Sequence, residues 1–177
     1  EVRFLMIEVS KNGIDLRLFD HLPHLIHPVI TDPIEAETAL NWVALQTRQG
    51  RLPFKLFVCI DEVAELINQR PETTKTLLTL VSQGRGVNIC NLLATQLTDR
   101  DTLGDGKAIF KQIHNVVLGK AGNKQLSYIL GHRSNLNANA LTGQGDLLLS
   151  ANDLTTRFAG VFTTRREIER LPRVETV

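Results

Sequence analysis

What this 177-residue chain lacks bounds what it can be. Its 20 basic and 19 acidic residues leave a formal net charge of +1, so the chain as a whole has no field that would gather nucleic acid. Any such contact has to be local. There are only two cysteines, Cys59 and Cys90, both inside apolar runs of strand length. That pattern argues against a disulfide framework or a cysteine metal site and for buried, reduced thiols in a cytoplasmic setting. No apolar segment reaches the ~20 residues that span a bilayer, and no secretory pattern precedes the first strand. An initiator methionine is missing too. Val2-Arg3-Phe4-Leu5-Met6-Ile7 reads as a strand from the second residue onward, which predicts a fragment that starts inside a domain.

What is present fits a soluble globular fold: 42% hydrophobic residues, ordinary charge, and enough length for one sizeable core. Strand and helix patterns alternate, which predicts an α/β fold with a mainly parallel sheet, read here as a single partial domain over residues 1–177. The first strand ends near Glu8, and Ile14 to Phe19 reads as another short extended piece. Asp32 is placed to cap a helix, with Pro33 at its first position and Glu35 near its positive end; Ala36, Ala39, Leu40 and Val43 form the inward stripe and Gly50 closes it. Val63, Leu66 and Ile67 predict a helix that Pro71 interrupts, and Leu77, Leu78 and Val81 a second one ended by Gly84 and Gly86. Val87 to Gln96 is the next strand. Further on, Ala108 to Ile113 reads as a helical turn or two, Asn115 to Leu118 as a strand and Lys124 to Leu130 as a helix. Asp146 to Ser150 and Thr156 to Thr163 read as a closing pair of strands.

The chemistry concentrates at two strand ends. Leu56-Phe57-Val58-Cys59-Ile60 is a buried-strand run that stops at Asp61 and Glu62, and ligands of open α/β sheets bind at the carboxyl ends of such strands. Two carboxylates there suit nucleotide hydrolysis: Asp61 to hold Mg²⁺, directly or through water, and Glu62 to orient or deprotonate an attacking water. This is a Walker B arrangement, although Asp-Glu is also an ordinary strand exit and helix start. Thr95-Gln96 closes the following strand. In a right-handed βαβ unit it lies beside Asp61-Glu62 on one edge of the sheet, where the glutamine amide can bond a γ-phosphate oxygen or the attacking water; the alternative is a plain polar loop start.

Taken in order, these residues resemble the motor domain of the FtsK/SpoIIIE family of DNA translocases, within the RecA-like hexameric ATPases. The resemblance is carried by Arg3 to Ile7 with Lys11, by Leu22-Pro23-His24-Leu25 and Ile26 to Asp32, and by Val58 to Leu66. Arg85-Gly86-Val87-Asn88-Ile89 with Leu92-Leu93-Ala94-Thr95-Gln96 continues it, and Ile129-Leu130-Gly131 with Gly143 to Leu148 completes it. It implies a RecA-like P-loop fold, ATP and Mg²⁺ as cofactors, double-stranded DNA as partner, a homohexameric ring, and a cytoplasmic motor whose membrane tether lies in a separate region. It also implies catalytic roles for Glu62, Gln96 and Arg85, nucleotide contacts for Asp61 and Thr95, and metal binding at Asp61.

The departures from the family pattern are specific. Glu8-Val9-Ser10-Lys11 stands where Asp-Pro-Lys is usual, Leu97-Thr98 replaces Arg-Pro, and the connection between Gly50 and Leu56 is short. Gly-x-x-x-x-Gly-Lys-Ser/Thr, whose amides cradle phosphates, occurs nowhere in the chain. The resemblance places it upstream of Glu1, with its own strand and helix. The 177 residues alone are therefore expected not to turn over ATP, and Lys11 and Lys55 do not substitute for the missing lysine.

Arg85, flanked by glycines, is the candidate to reach a neighbouring subunit's γ-phosphate; the alternative is a surface arginine near a helix end. For DNA, candidate loops are Thr98 to Asp101 with Asp105-Gly106-Lys107, and the surroundings of Lys120, Lys124, His132 and Arg133, each also readable as a solvated loop. Arg165, Arg166, Arg170 and Arg173 interleave with Glu167 and Glu169 in what reads as an amphipathic helix. His21, His24 and His27 read as structural, because Pro23 and Pro28 prevent the helix that would align them. Two other functions stay open: a non-catalytic RecA-like module that binds DNA or a partner, and a conjugative coupling ATPase acting on single strands.

Overall fold

The computed structural model describes residues 1–96, 107–120, 138–151 and 154–173. The chain divides into two compact units, Glu1–Leu97 with Thr164–Val177, and Thr98–Thr163.

The first unit is built on a parallel sheet of three strands in the order β1 (Val2–Glu8), β2 (Lys55–Asp61), β3 (Ile89–Leu93). β1 and β2 pair in register from Val2↔Lys55 to Glu8↔Asp61, and β2 and β3 from Leu56↔Ile89 to Ile60↔Leu93. Register puts Glu8 beside Asp61 without any help from side chains. The outer edge of β1 is covered by the segment after Pro23. Phe4 N–H donates to His24 O, Ile26 N–H to Phe4 O, Ile30 N–H to Met6 O and Glu8 N–H to Ile30 O, at 2.9–3.0 Å. The edge is thereby blunted by an irregular parallel stretch.

Three helices follow from local chemistry. α1 (Pro33–Gln49) starts where Asp32 Oδ1 accepts the Ile34 and Glu35 N–H groups, both at 2.9 Å, and ends at Gly50 with φ 117°. α2 (Val63–Gln69) follows Glu62 directly, and α3 (Thr73–Gln83) runs on to Gly84. The inward faces are Ala36, Leu40 and Val43 on α1 and Leu77 and Leu80 on α3, all 0% exposed. Of Leu77, Leu78 and Val81, which mark α3 in the sequence, Leu77 is buried together with Leu80, while Leu78 and Val81 are only half-buried. β2 alternates in the same way: Leu56, Val58 and Ile60 are buried, while Phe57, Cys59 and Asp61 are half-buried. Each buried leucine contributes about 2 kcal/mol of transfer free energy. On the other side of the sheet Phe4 and Phe57 stack with centroids 5.6 Å apart. Both cysteines are free thiols, and burial pushes that of Cys59 up to about 11.

Ile14 to Phe19 is not extended. It forms turns that lead into a 3₁₀ turn at Arg17–Phe19, because Glu8 captures the Asp15 and Leu16 N–H groups and withdraws them from any ladder. Asp20 Oδ1 likewise takes the Val29 N–H at 2.7 Å. The basic tail makes a single helical turn, Arg165–Ile168, closed by a capping box between Thr164 and Glu167.

The second unit contains a short helix, Lys107–Lys111, and an antiparallel sheet β4 (Val116–Leu118), β5 (Asp146–Ala151), β6 (Leu154–Ala159). Among the described residues the parallel topology is thus confined to the first unit. The closing strand ends at Ala159, short of Thr163. Leu118, Ala138, Leu141 and Leu148 form a small core. Asp146 anchors the start of β5: it accepts from Thr142 N–H at 2.7 Å and from Arg157 Nε and Nη2 at 2.8 and 2.7 Å. The expected helix at Lys124 to Leu130 lies outside the described residues.

Candidate active site

The carboxyl ends of β1, β2 and β3 meet on one edge of the parallel sheet. Ladder bonds continue past the strands: Ala94 N–H donates to Ile60 O and Val63 N–H to Ala94 O, each at 2.9 Å. The second of these fixes the residue between β2 and α2. Glu62 sits there at φ 49°, ψ 55°, a left-handed conformation that costs a side-chain-bearing residue about 1 kcal/mol. In that posture its Oε2 accepts the Gln96 N–H at 3.1 Å. The structure therefore brings Glu62 and Gln96 together, as the βαβ argument expects, through the glutamine's backbone amide. Thr95, half-buried, lies between Ala94 and Gln96 on the same edge.

Asp61 has two further carboxylates beside it. Oxygens of Glu8, Asp15 and Asp61 lie within 4.8 Å of one another, and Glu8 is 0% exposed. A buried carboxylate needs donors, and Glu8 has them: Leu16 N–H at 2.7 Å and Asp15 N–H at 3.4 Å. These bonds fold the loop after β1 back over the strand end and bring Asp15 to Asp61. Three hard oxygen donors of this kind fit a magnesium ion, which binds through one or two carboxylates and keeps several waters. Sequence reading singled out Asp61 but not Glu8 or Asp15. The signal available was the departure from Asp-Pro-Lys at Glu8, which preserves a carboxylate at the strand end.

Lys11 completes the group. Its Nζ lies 3.1 Å from Asp15 Oδ2. The hydrogen bond and charge of Asp15, reinforced by the fields of Asp61 and Glu62, raise its pKa above the ordinary lysine value. Among the described residues no candidate metal group includes a histidine. His27 instead faces Glu35 at 3.5 Å, and the His24 carbonyl belongs to the β1 edge.

Arg85 is not part of this edge. It is exposed in the 3₁₀ turn Gly84–Val87 at the amino-terminal end of β3. The five residues of β3, roughly 17 Å of strand, separate it from Gln96. Within this unit it does not share the strand ends that carry Asp61 and Glu62. The candidate DNA loop at Thr98 to Gly106 lies outside the described residues, as do Lys124, His132 and Arg133.

A parallel sheet with helices, carboxylates at two strand ends and a polar residue closing the next strand fits the α/β fold of P-loop ATPase domains. Solved structures agree. The pCW3 conjugation coupling protein TcpA superposes with a TM-score of 0.76 over 96% of this chain and 56% of its own, at 19% identity. ATPases 2 and 3 of EssC from Geobacillus thermodenitrificans give 0.66 over 96% and 37%, at 14% identity. At these identities the likeness concerns the fold. No protein-family model matches the chain. In sequence, the chain is 31% identical to DNA translocase FtsK of Borreliella burgdorferi over 97% of its length and 25% of the relative's. It is 29% identical to DNA translocase SftA of Bacillus subtilis over 97% and 20%. The chain belongs to the FtsK/SpoIIIE family of DNA translocases, and it spans about a quarter of the length of the curated relatives it matches. No helix among the described residues is long and apolar enough to cross a membrane.

Proposed function

We propose that this chain is part of the motor of an ATP-driven double-stranded DNA translocase that works as a hexameric ring with nucleotide at the subunit boundaries. The observation that carries the reading is Glu62, held in a strained backbone posture and bonded to the Gln96 amide beside Asp61, in a chain whose sequence relatives are named DNA translocases. Glu62 is the general base. Its Oε2 accepts the Gln96 N–H, which orients the carboxylate, and a carboxylate has further lone pairs to take the proton of an attacking water.

Asp61, with Glu8 and Asp15, holds Mg²⁺, which when bound with ATP supplies positive charge against the phosphate oxygens. The Gln96 side chain orients the water or contacts the γ-phosphate, Thr95 contacts the nucleotide, and Arg85 reaches the site of the adjacent subunit. Residues that cradle the phosphates are not among these 177, so the activity is that of the full-length protein.

The test is ATP-dependent displacement of a third strand from duplex DNA by the full-length protein. Wild type is expected to displace it, and Glu62→Gln to bind duplex and nucleotide while displacing nothing. Displacement by Glu62→Gln at the wild-type rate would overturn the reading.

A further inference from the structure

The loop between β1 and the 3₁₀ turn at Arg17 has an unusual backbone. Lys11, Asn12 and Gly13 are left-handed in succession, at φ 51°, 53° and 77°. Two of the three carry side chains, so the conformation costs on the order of 1 kcal/mol at each and has to be enforced by its surroundings. It is enforced from both sides. Glu8 takes the N–H groups of Asp15 and Leu16, and Gly13 is packed so closely that a Cβ would lie 2.5 Å from Thr31 Cγ2. The result is a fixed backbone carrying a movable cation. The Lys11 side chain is half exposed, and its Nζ rests on Asp15, one of the three carboxylates around Asp61.

Charge counting gives this arrangement a meaning. Glu8, Asp15, Asp61 and Glu62 place four formal negative charges on one sheet edge, and among the described residues only Lys11 forms an ion pair with any of them. We propose that Lys11 is the resident counter-ion of the Asp61 cation position, so that a divalent cation and the Lys11 ammonium compete for the same carboxylates. The inference rests on the reading of Asp61 as a cation ligand. When the cation arrives, Lys11 leaves Asp15 by side-chain rotation alone, since the loop backbone is held independently of it. Lys11 thereby sets how much divalent cation the site requires, and it keeps the carboxylates compatible with one another while no cation is bound.

The test is Mn²⁺ binding to the full-length protein without nucleotide, read by the loss of the free-ion electron paramagnetic resonance signal. Lys11→Met removes the charge and keeps the length, Lys11→Arg keeps the charge, and Lys75→Met removes one charge from the exposed side of α3 as a control. Lys11→Met is expected to bind Mn²⁺ about three- to tenfold more tightly at low ionic strength, a gain that fades toward ~1 M salt. Lys11→Arg and Lys75→Met are expected to stay within about twofold of wild type by the same screened-charge argument.

Unchanged or weaker binding in Lys11→Met, or an equal gain in Lys75→Met, overturns the proposal while leaving Asp61 in place if Asp61→Asn abolishes binding. Mn²⁺ binding that survives Asp61→Asn unchanged removes Asp61 as the ligand, and the proposal with it. Failure of every variant, wild type included, to bind Mn²⁺ at millimolar concentration overturns both.

Discussion

The Glu62 carboxylate and the backbone amide of Gln96 are 3.1 Å apart, hydrogen-bonded across the ends of two neighbouring parallel strands. The bond ties the residue that starts α2 to the residue that closes the β3 extension. With the Val63 N–H to Ala94 O bond, it holds Glu62 in the left-handed region at φ 49°. A strained residue persists only where its surroundings over-determine it.

Because the donor is the backbone, the two obvious changes at Gln96 separate. Gln96→Ala is expected to leave stability within about 0.5 kcal/mol of wild type, since the Glu62 bond survives. Gln96→Pro deletes the N–H and is expected to cost about 1–2 kcal/mol, read as a lower urea midpoint. Equal stability of the two variants would show that the bond holds nothing.

Gly13 tests the loop that brings Asp15 to Asp61. Gly13→Ala combines a left-handed φ of 77° with a Cβ 2.5 Å from Thr31 Cγ2, and is expected to destabilise by about 2–3 kcal/mol. Gly50, at φ 117° and ψ −171°, has nothing within 4 Å of a Cβ, so the cost of Gly50→Ala, about 1–3 kcal/mol, is backbone strain alone. Thermal unfolding of Gly13→Ala checks the expected loss.

Much of the first unit was legible in the sequence because its signals are local. Asp32-Pro33 wrote the start of α1, Gly50 its end, and the run from Leu56 to Asp61 the central strand. The convergence of Asp61-Glu62 with Thr95-Gln96 followed from topology alone. Ile14 to Phe19 was misleading, since its alternating apolar residues read as a strand while the Glu8 carboxylate diverts the N–H groups of Asp15 and Leu16. The same long-range capture is why Asp15 was missed as a neighbour of Asp61, whereas Glu8 stands beside it through strand register. Nothing local in the sequence says that a loop folds back over a strand end. In α3 periodicity found Leu77 but not its buried companion Leu80, while Leu78 and Val81 are only half-buried.

The second unit carries its own pH signature. The Arg157 guanidinium and the Thr142 N–H hold the Asp146 carboxyl well below the usual carboxylate range. A folded-state pKa below the unfolded value of about 3.9 means that this contribution is complete above pH ~4 and is lost as pH falls toward the folded pKa. Asp146→Asn is expected to lower stability at pH 7 and to flatten the acid limb of a stability–pH profile below pH ~4. An acid limb as steep in Asp146→Asn as in wild type would contradict this assignment.

The most direct test of the central claim pairs nucleotide binding with turnover in full-length protein carrying Glu62→Gln. Glutamine keeps the size and an acceptor for the Gln96 N–H but cannot take a proton. The account predicts ATP binding within about twofold of wild type and DNA-stimulated hydrolysis reduced by about 10²-fold or more. Hydrolysis at the wild-type rate would remove Glu62 from catalysis and contradict the account.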